Sequence, residues 1–158
     1  MKKNFLKILA ILILIILQLT FLPKLMIFSS IPNLIIIVSL SLLFRGFLSD
    51  SLMVAILGGL FLDLASPLRF GIYTLFLIAI ILLLNLVILK NIPEPNLLII
   101  YFLFFLIFGI LNLLIFLFIH LAPNLLIILD AALSSLWGIV IYLLIGRLMG
   151  PKEELKLT

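Results

Sequence analysis

The sequence predicts an all-α, polytopic membrane protein, a single integral domain over residues 1–158 with six transmembrane helices, the second and third of them short. Two observations carry this. Of the 158 residues, 67% are hydrophobic and only 10% charged, and the mean hydropathy is +1.59, far outside the range of soluble domains. Apolar runs long enough to cross a ~30 Å hydrocarbon core also recur along almost the whole chain, leaving little for a soluble domain.

The first run, 5–22, follows Met1-Lys2-Lys3 and contains Lys7, which resembles a signal peptide. It is too long for a signal core and lacks a small-residue cleavage pattern before Pro23, so it reads as a retained span. The second span is 32–48, opened by Pro32, whose missing N–H suits a first helical position. Arg45 near its end can snorkel to the interface. The third, 51–64, is about 21 Å long at helical rise and needs protein cover or local thinning of the bilayer. The remaining spans are 72–89, 95–120 and 123–149. A rival arrangement fuses the second and third into a re-entrant pair, because only Phe47 to Asp50 separate them; the sidedness downstream is the same.

Six crossings place both chain ends on one side. Lys2, Lys3, Lys7, Arg45, Lys90, Arg147, Lys152 and Lys156 then share that side, whereas Lys24 and Arg69 lie opposite. The positive-inside rule makes both termini cytoplasmic. The formal charge of +4 and the pI near 9.6 therefore reflect topology. Nucleic acid is not an expected partner, since the basic residues are scattered singly between apolar runs. Pro-Asn-Leu-Ile-Ile at 32–36 and Pro-Asn-Leu-Leu-Ile at 95–99 and 123–127 would mark a repeat, but proline-opened helices in a Leu/Ile-rich chain account for them.

Ionisable groups inside such a chain are its most informative residues, because a charge at the centre of a bilayer helix costs about 2.5–3.5 kcal/mol on insertion scales. Asp63 ends the third helix, ahead of a loop containing Ser66, Pro67, Arg69 and Gly71. One reading pairs its carboxylate with Arg69 or with loop N–H groups to fix a tight turn; the other gives it to a partner chain or polar ligand. The two readings can hold together, and leucine at position 63 is expected to suit the bilayer better than aspartate and to raise membrane yield. His120, at the outer end of helix five, reads as an interfacial polar residue. Asp130 lies inside helix six among Ala131, Ala132, Ser134 and Ser135. Small residues four apart, Ser134 with Gly138 and Ala55 with Gly59 beside Gly58, allow close helix approach, either within the monomer or to a partner helix.

Catalytic constellations are not found. There is no cysteine, nucleophile elbow, glycine-rich phosphate loop or HExxH pair, and a single histidine is poor material for a metal site. No enzyme activity, cofactor or metal is expected. A transporter would need polar groups near the midplane, where Ser39, Asn85 and Asn112 are the obvious ones. The residues favour a packing and interaction protein.

One region carries a specific likeness. Arg45-Gly46, then Gly58-Gly59-Leu60-Phe61-Leu62-Asp63-Leu64-Ala65-Ser66-Pro67-Leu68-Arg69-Phe70-Gly71, resembles the rod shape-determining protein MreD family: a glycine-rich short helix, a leucine, an aspartate and a small-residue loop ending in Pro-Leu-Gly. Here Arg69-Phe70 precede Gly71. Length, helix number and the basic N-terminus agree as well, although only residues 45–71 are distinctive. The resemblance implies a non-enzymatic inner-membrane component of the bacterial cell-elongation machinery, associated with MreC and working with MreB filaments, the glycan polymerase RodA and its transpeptidase partner, among membrane lipids. It also implies a fold similar to the substrate-binding subunits of energy-coupling-factor vitamin transporters, which supplies the alternative function. Such a subunit is expected to carry an Ala-xxx-Ala docking motif on helix one, where residues 8–14 hold one alanine.

Overall fold

A computed structural model describes residues 2–21, 32–66, 70–86, 96–119 and 126–149. These form six helices and, among the described residues, no strand: α1 (Lys2–Ile16, continued by a π-helical turn over Leu17–Phe21), α2 (Leu34–Phe44), α3 (Leu48–Ala65), α4 (Ile72–Leu84), α5 (Leu97–Ile119) and α6 (Leu126–Met149). The all-helical class agrees with the sequence reading. The distribution of lengths does not. Among the described residues, stretches within α3, α5 and α6 are long and apolar enough to cross a membrane, and the shorter apolar helices lie within α1, α2 and α4, where α2 and α3 were expected to be the short ones.

The turn after α2 explains the difference. Gly46 takes φ +79°, its N–H donates to Leu43 O, and the Phe47 N–H reaches back to Leu42 O. This is a Schellman closure, in which a left-handed glycine lets the next two N–H groups satisfy the helix's last carbonyls. It stops α2 at Phe44 and allows α3 to start at Leu48, so residues assigned to a connector become the first turn of α3, with Asp50 near its positive end. α3 then spans 18 residues, about 27 Å. At the other end of α2 the sequence reading is corrected too. Asn33, not Pro32, sets the start, its side chain accepting the Ile36 N–H.

α2 has 11 residues, about 16 Å, and nine of them are buried. A helix apolar on all sides is stable only when other protein surrounds it. α3 and α6 supply most of that cover, with α1 and α4 completing it. Of its two buried serines, Ser39 donates its Oγ to Ile36 O and accepts at its carbonyl from Ser51 Oγ of α3 at 2.7 Å, tying the two helices, whereas the Ser41 Oγ has no hydrogen-bond partner among the described residues. Phe104 of α5, fully buried, meets Phe44 edge-to-face at 5.5 Å between ring centroids and stacks on Phe108. The outer surface is apolar in the opposite sense. Leu98, Phe102, Leu106, Ile110 and Leu113 make an exposed stripe along α5, and Leu136, Val140, Leu144 and Leu148 do so on α6. Stripes of this size are insoluble in water and suit lipid.

Side-chain contacts also fix which helix ends lie together. Lys7 near the start of α1 pairs with Asp50 at the start of α3 (2.5 Å), and Arg45 at the end of α2 reaches Tyr142 near the end of α6. Gln18 at the end of α1 reaches the start of α2, and Asp63 at the end of α3 reaches the start of α4.

Candidate functional site

The α3–α4 corner answers why an aspartate stands in the apolar run. α4 begins after Gly71, a left-handed residue (φ +97°) with no side chain to cap the helix. The first N–H groups of a helix have no internal partner, and in an apolar surrounding each unsatisfied group is costly. Asp63 supplies the missing cap from the neighbouring helix. Its Oδ1 accepts the Tyr73 N–H at 2.8 Å; its Oδ2 accepts the Thr74 N–H at 3.1 Å and the Thr74 hydroxyl at 2.5 Å. Only 4% of Asp63 is exposed. A carboxylate at a helix N-terminus also faces the positive end of the macrodipole, so charge and hydrogen bonding act together.

The glycines permit this approach. A Cβ on Gly59 would lie 2.9 Å from the Thr74 Cα and 3.0 Å from its Oγ1, so α3 and α4 touch backbone to backbone where Asp63 reaches across. A Cβ on Gly58 would strike the Ile35 side chain of α2. Gly138 faces the Phe104 ring, 2.9 Å from where its Cβ would be. All three thus accommodate this chain's own helices, the alternative in which small residues serve packing within the monomer. Ser66, just past α3, hydrogen-bonds the Tyr73 side chain and adds a second tie across the corner. Pro67, Arg69 and His120 lie outside the described residues. The Asp63 donors found are those of the first turn of α4, immediately beyond the loop from which they were expected.

Asp130 is not brought to this corner. It stands on α6, half-buried, and its Oδ2 accepts a 2.8 Å hydrogen bond from the Asn112 amide of α5. Two polar groups expected in separate roles are therefore partners across the α5–α6 interface. Ser134 and Ser135 are buried beside them, the latter donating to Ala132 O.

Two contributing residues, Gln18 and Thr74, carry no sequence motif, and a third, Arg45, takes a place other than the one expected of it. Gln18, 8% exposed, accepts the Leu34 N–H at 2.7 Å and so completes the cap of α2 as Asp63 does for α4. Thr74 doubles the donors around Asp63. Arg45, instead of extending freely to the interface, lies over the Tyr142 ring at 4.3 Å and donates to Tyr142 O at 3.2 Å. The available signal was indirect: a polar residue within an apolar run, preceding a short helix, is a capping group from a neighbour. Among the described residues no three His, Asp or Glu side chains gather as a metal site would require. What this arrangement does is hold short helices with their ends satisfied away from water. The chain matches no family model, and no curated protein or solved structure is significantly similar to it.

Proposed function

We propose that this chain is a six-span, non-enzymatic component of the bacterial inner membrane, with both termini cytoplasmic, that scaffolds or regulates peptidoglycan synthesis in cell elongation through MreC, with MreB, RodA and its transpeptidase partner. The observation that carries the proposal is the resemblance of residues 45–71 to the MreD family, together with the use of those residues. Gly46 closes α2, Gly58 and Gly59 admit α2 and α4, Asp63 caps α4, and Gly71 begins it. A motif whose members each fix a helix junction specifies a shape, which is what a scaffold presents to partners. The six-span arrangement draws support from the pairing of helix ends: the starts of α1 and α3 and the ends of α2 and α6 gather together. Asp63 acts in recognition indirectly, by setting the outer corner that MreC meets.

Depletion of the protein in its own bacterium tests this. Rod-shaped cells should round up and widen while growth continues for several generations. Retention of rod shape after complete depletion would refute the elongation role.

A further inference from the structure

We propose that the notch between the C-terminal ends of α2 and α6 binds the phosphodiester headgroup of an anionic lipid, with the Arg45 guanidinium as its cation. The proposal goes beyond the elongation role and rests only on the chain being embedded in a membrane.

The Schellman closure uses the last carbonyls of α2 on the N–H groups of Gly46 and Phe47, so Arg45 is not needed there as a cap. Its side chain turns to α6 instead, donating to Tyr142 O and lying over the Tyr142 ring. Gly146, one turn further on, makes the space: a Cβ there would run into the guanidinium. The cation is incompletely satisfied in this position. Its Nε is buried without a hydrogen-bond partner, and among the described residues no carboxylate stands within ion-pairing distance. Asp50, the nearest acid in sequence, is engaged by Lys7. The half-buried guanidinium carries N–H donors beyond the one it gives to Tyr142 O, and its planar fork matches an oxyanion able to accept two bonds at once.

The surroundings select the source of that anion. Arg45 is only half-buried, and the adjoining surface of α6 exposes Leu143, Leu144 and Leu148. Arg147, exposed in the last turn of α6, adds a second positive charge next to Gly146. A ligand with a negative head and apolar tails fits a cation set beside an apolar helix face. Basic sites between membrane helices recognise anionic lipid headgroups in this way.

The test is native mass spectrometry of the full chain released from bilayers of phosphatidylcholine containing phosphatidylglycerol. The wild type should retain phosphatidylglycerol in preference to phosphatidylcholine. Arg45→Gln should retain it about tenfold less, the loss of one charge-assisted hydrogen bond. Gly146→Ala keeps every charge but pushes the guanidinium out of the notch, and should also weaken retention; it decides the matter if Arg45→Gln does not fold. Arg45→Lys should fall between. Equal retention by wild type and Gly146→Ala would overturn the proposal, as would binding of inorganic phosphate as tight as that of the lipid. A co-purified protein whose carboxylate shields Arg45 and excludes lipid would overturn it too. Release of the protein from membranes by alkaline carbonate would instead overturn the membrane reading beneath it.

Discussion

Replacing Asp63 removes the cap of α4, and the structure sets the scale of the loss. Asn at this position keeps one oxygen, which in its better orientation still accepts from the Thr74 N–H and hydroxyl. The amide then faces the Tyr73 N–H, donor against donor. One unsatisfied buried donor costs about 1–3 kcal/mol, and loss of the charge at the helix end up to about 2 kcal/mol more, so Asp63→Asn should destabilise by about 2–4 kcal/mol. Asp63→Leu orphans both backbone donors and should cost about 3–5 kcal/mol after the gain from burying leucine. This reverses the sequence-based expectation that leucine raises yield. Lipid does not reach a side chain that is 4% exposed, so the relevant solvent is the set of N–H groups around it. Unfolding by SDS in mixed micelles, read by pulse proteolysis, measures the effect. Thr74→Val should cost about 1–2 kcal/mol in the wild-type background and nothing in Asp63→Leu, because its hydroxyl bond no longer exists there. An unfolding midpoint for Asp63→Leu equal to wild type, with partner binding lost, would refute the capping account and return Asp63 to direct recognition.

Gly138→Ala should destabilise by about 1–3 kcal/mol in the same assay, since its Cβ meets the fully buried Phe104 ring, whereas Gly109→Ala, whose Cβ meets nothing within 4 Å, should be neutral or slightly stabilising. Gln18→Leu should cost about 1–3 kcal/mol by leaving the Leu34 N–H unpaired, and hydrogen exchange should show faster opening at the start of α2. Cysteines introduced at positions 2 and 156 should be shielded from an impermeant reagent in intact cells and one at position 69 should label; labelling at 156 but not at 2 would mean an odd number of crossings.

The helix content and most boundaries were legible because apolar runs and prolines mark them to within a few residues. Asp63 was legible as an anomaly, since charge is scarce in an apolar chain. Its partner was not. A cap normally sits three residues before the N–H groups it serves, whereas here the donors of Tyr73 and Thr74 lie ten and eleven residues away on the next helix. The length of α3 was misjudged for a related reason: the Arg45-Gly46-Phe47 turn closes by backbone hydrogen bonds that need one left-handed glycine and no loop. Small-residue spacing announced close approach without saying to what. Gly58, Gly59 and Gly138 find their neighbours inside the chain, in Ile35 of α2, Thr74 of α4 and Phe104 of α5, all three of them buried.

Co-purification of the tagged protein from its native membranes, with mass spectrometry of the associated proteins and tightly bound small molecules, tests the elongation role most directly. Recovery of MreC with the polymerase and transpeptidase, diminished when Asp63 is replaced by Asn, is the predicted result. Recovery of an ATPase module with a bound vitamin, and no MreC, would contradict it.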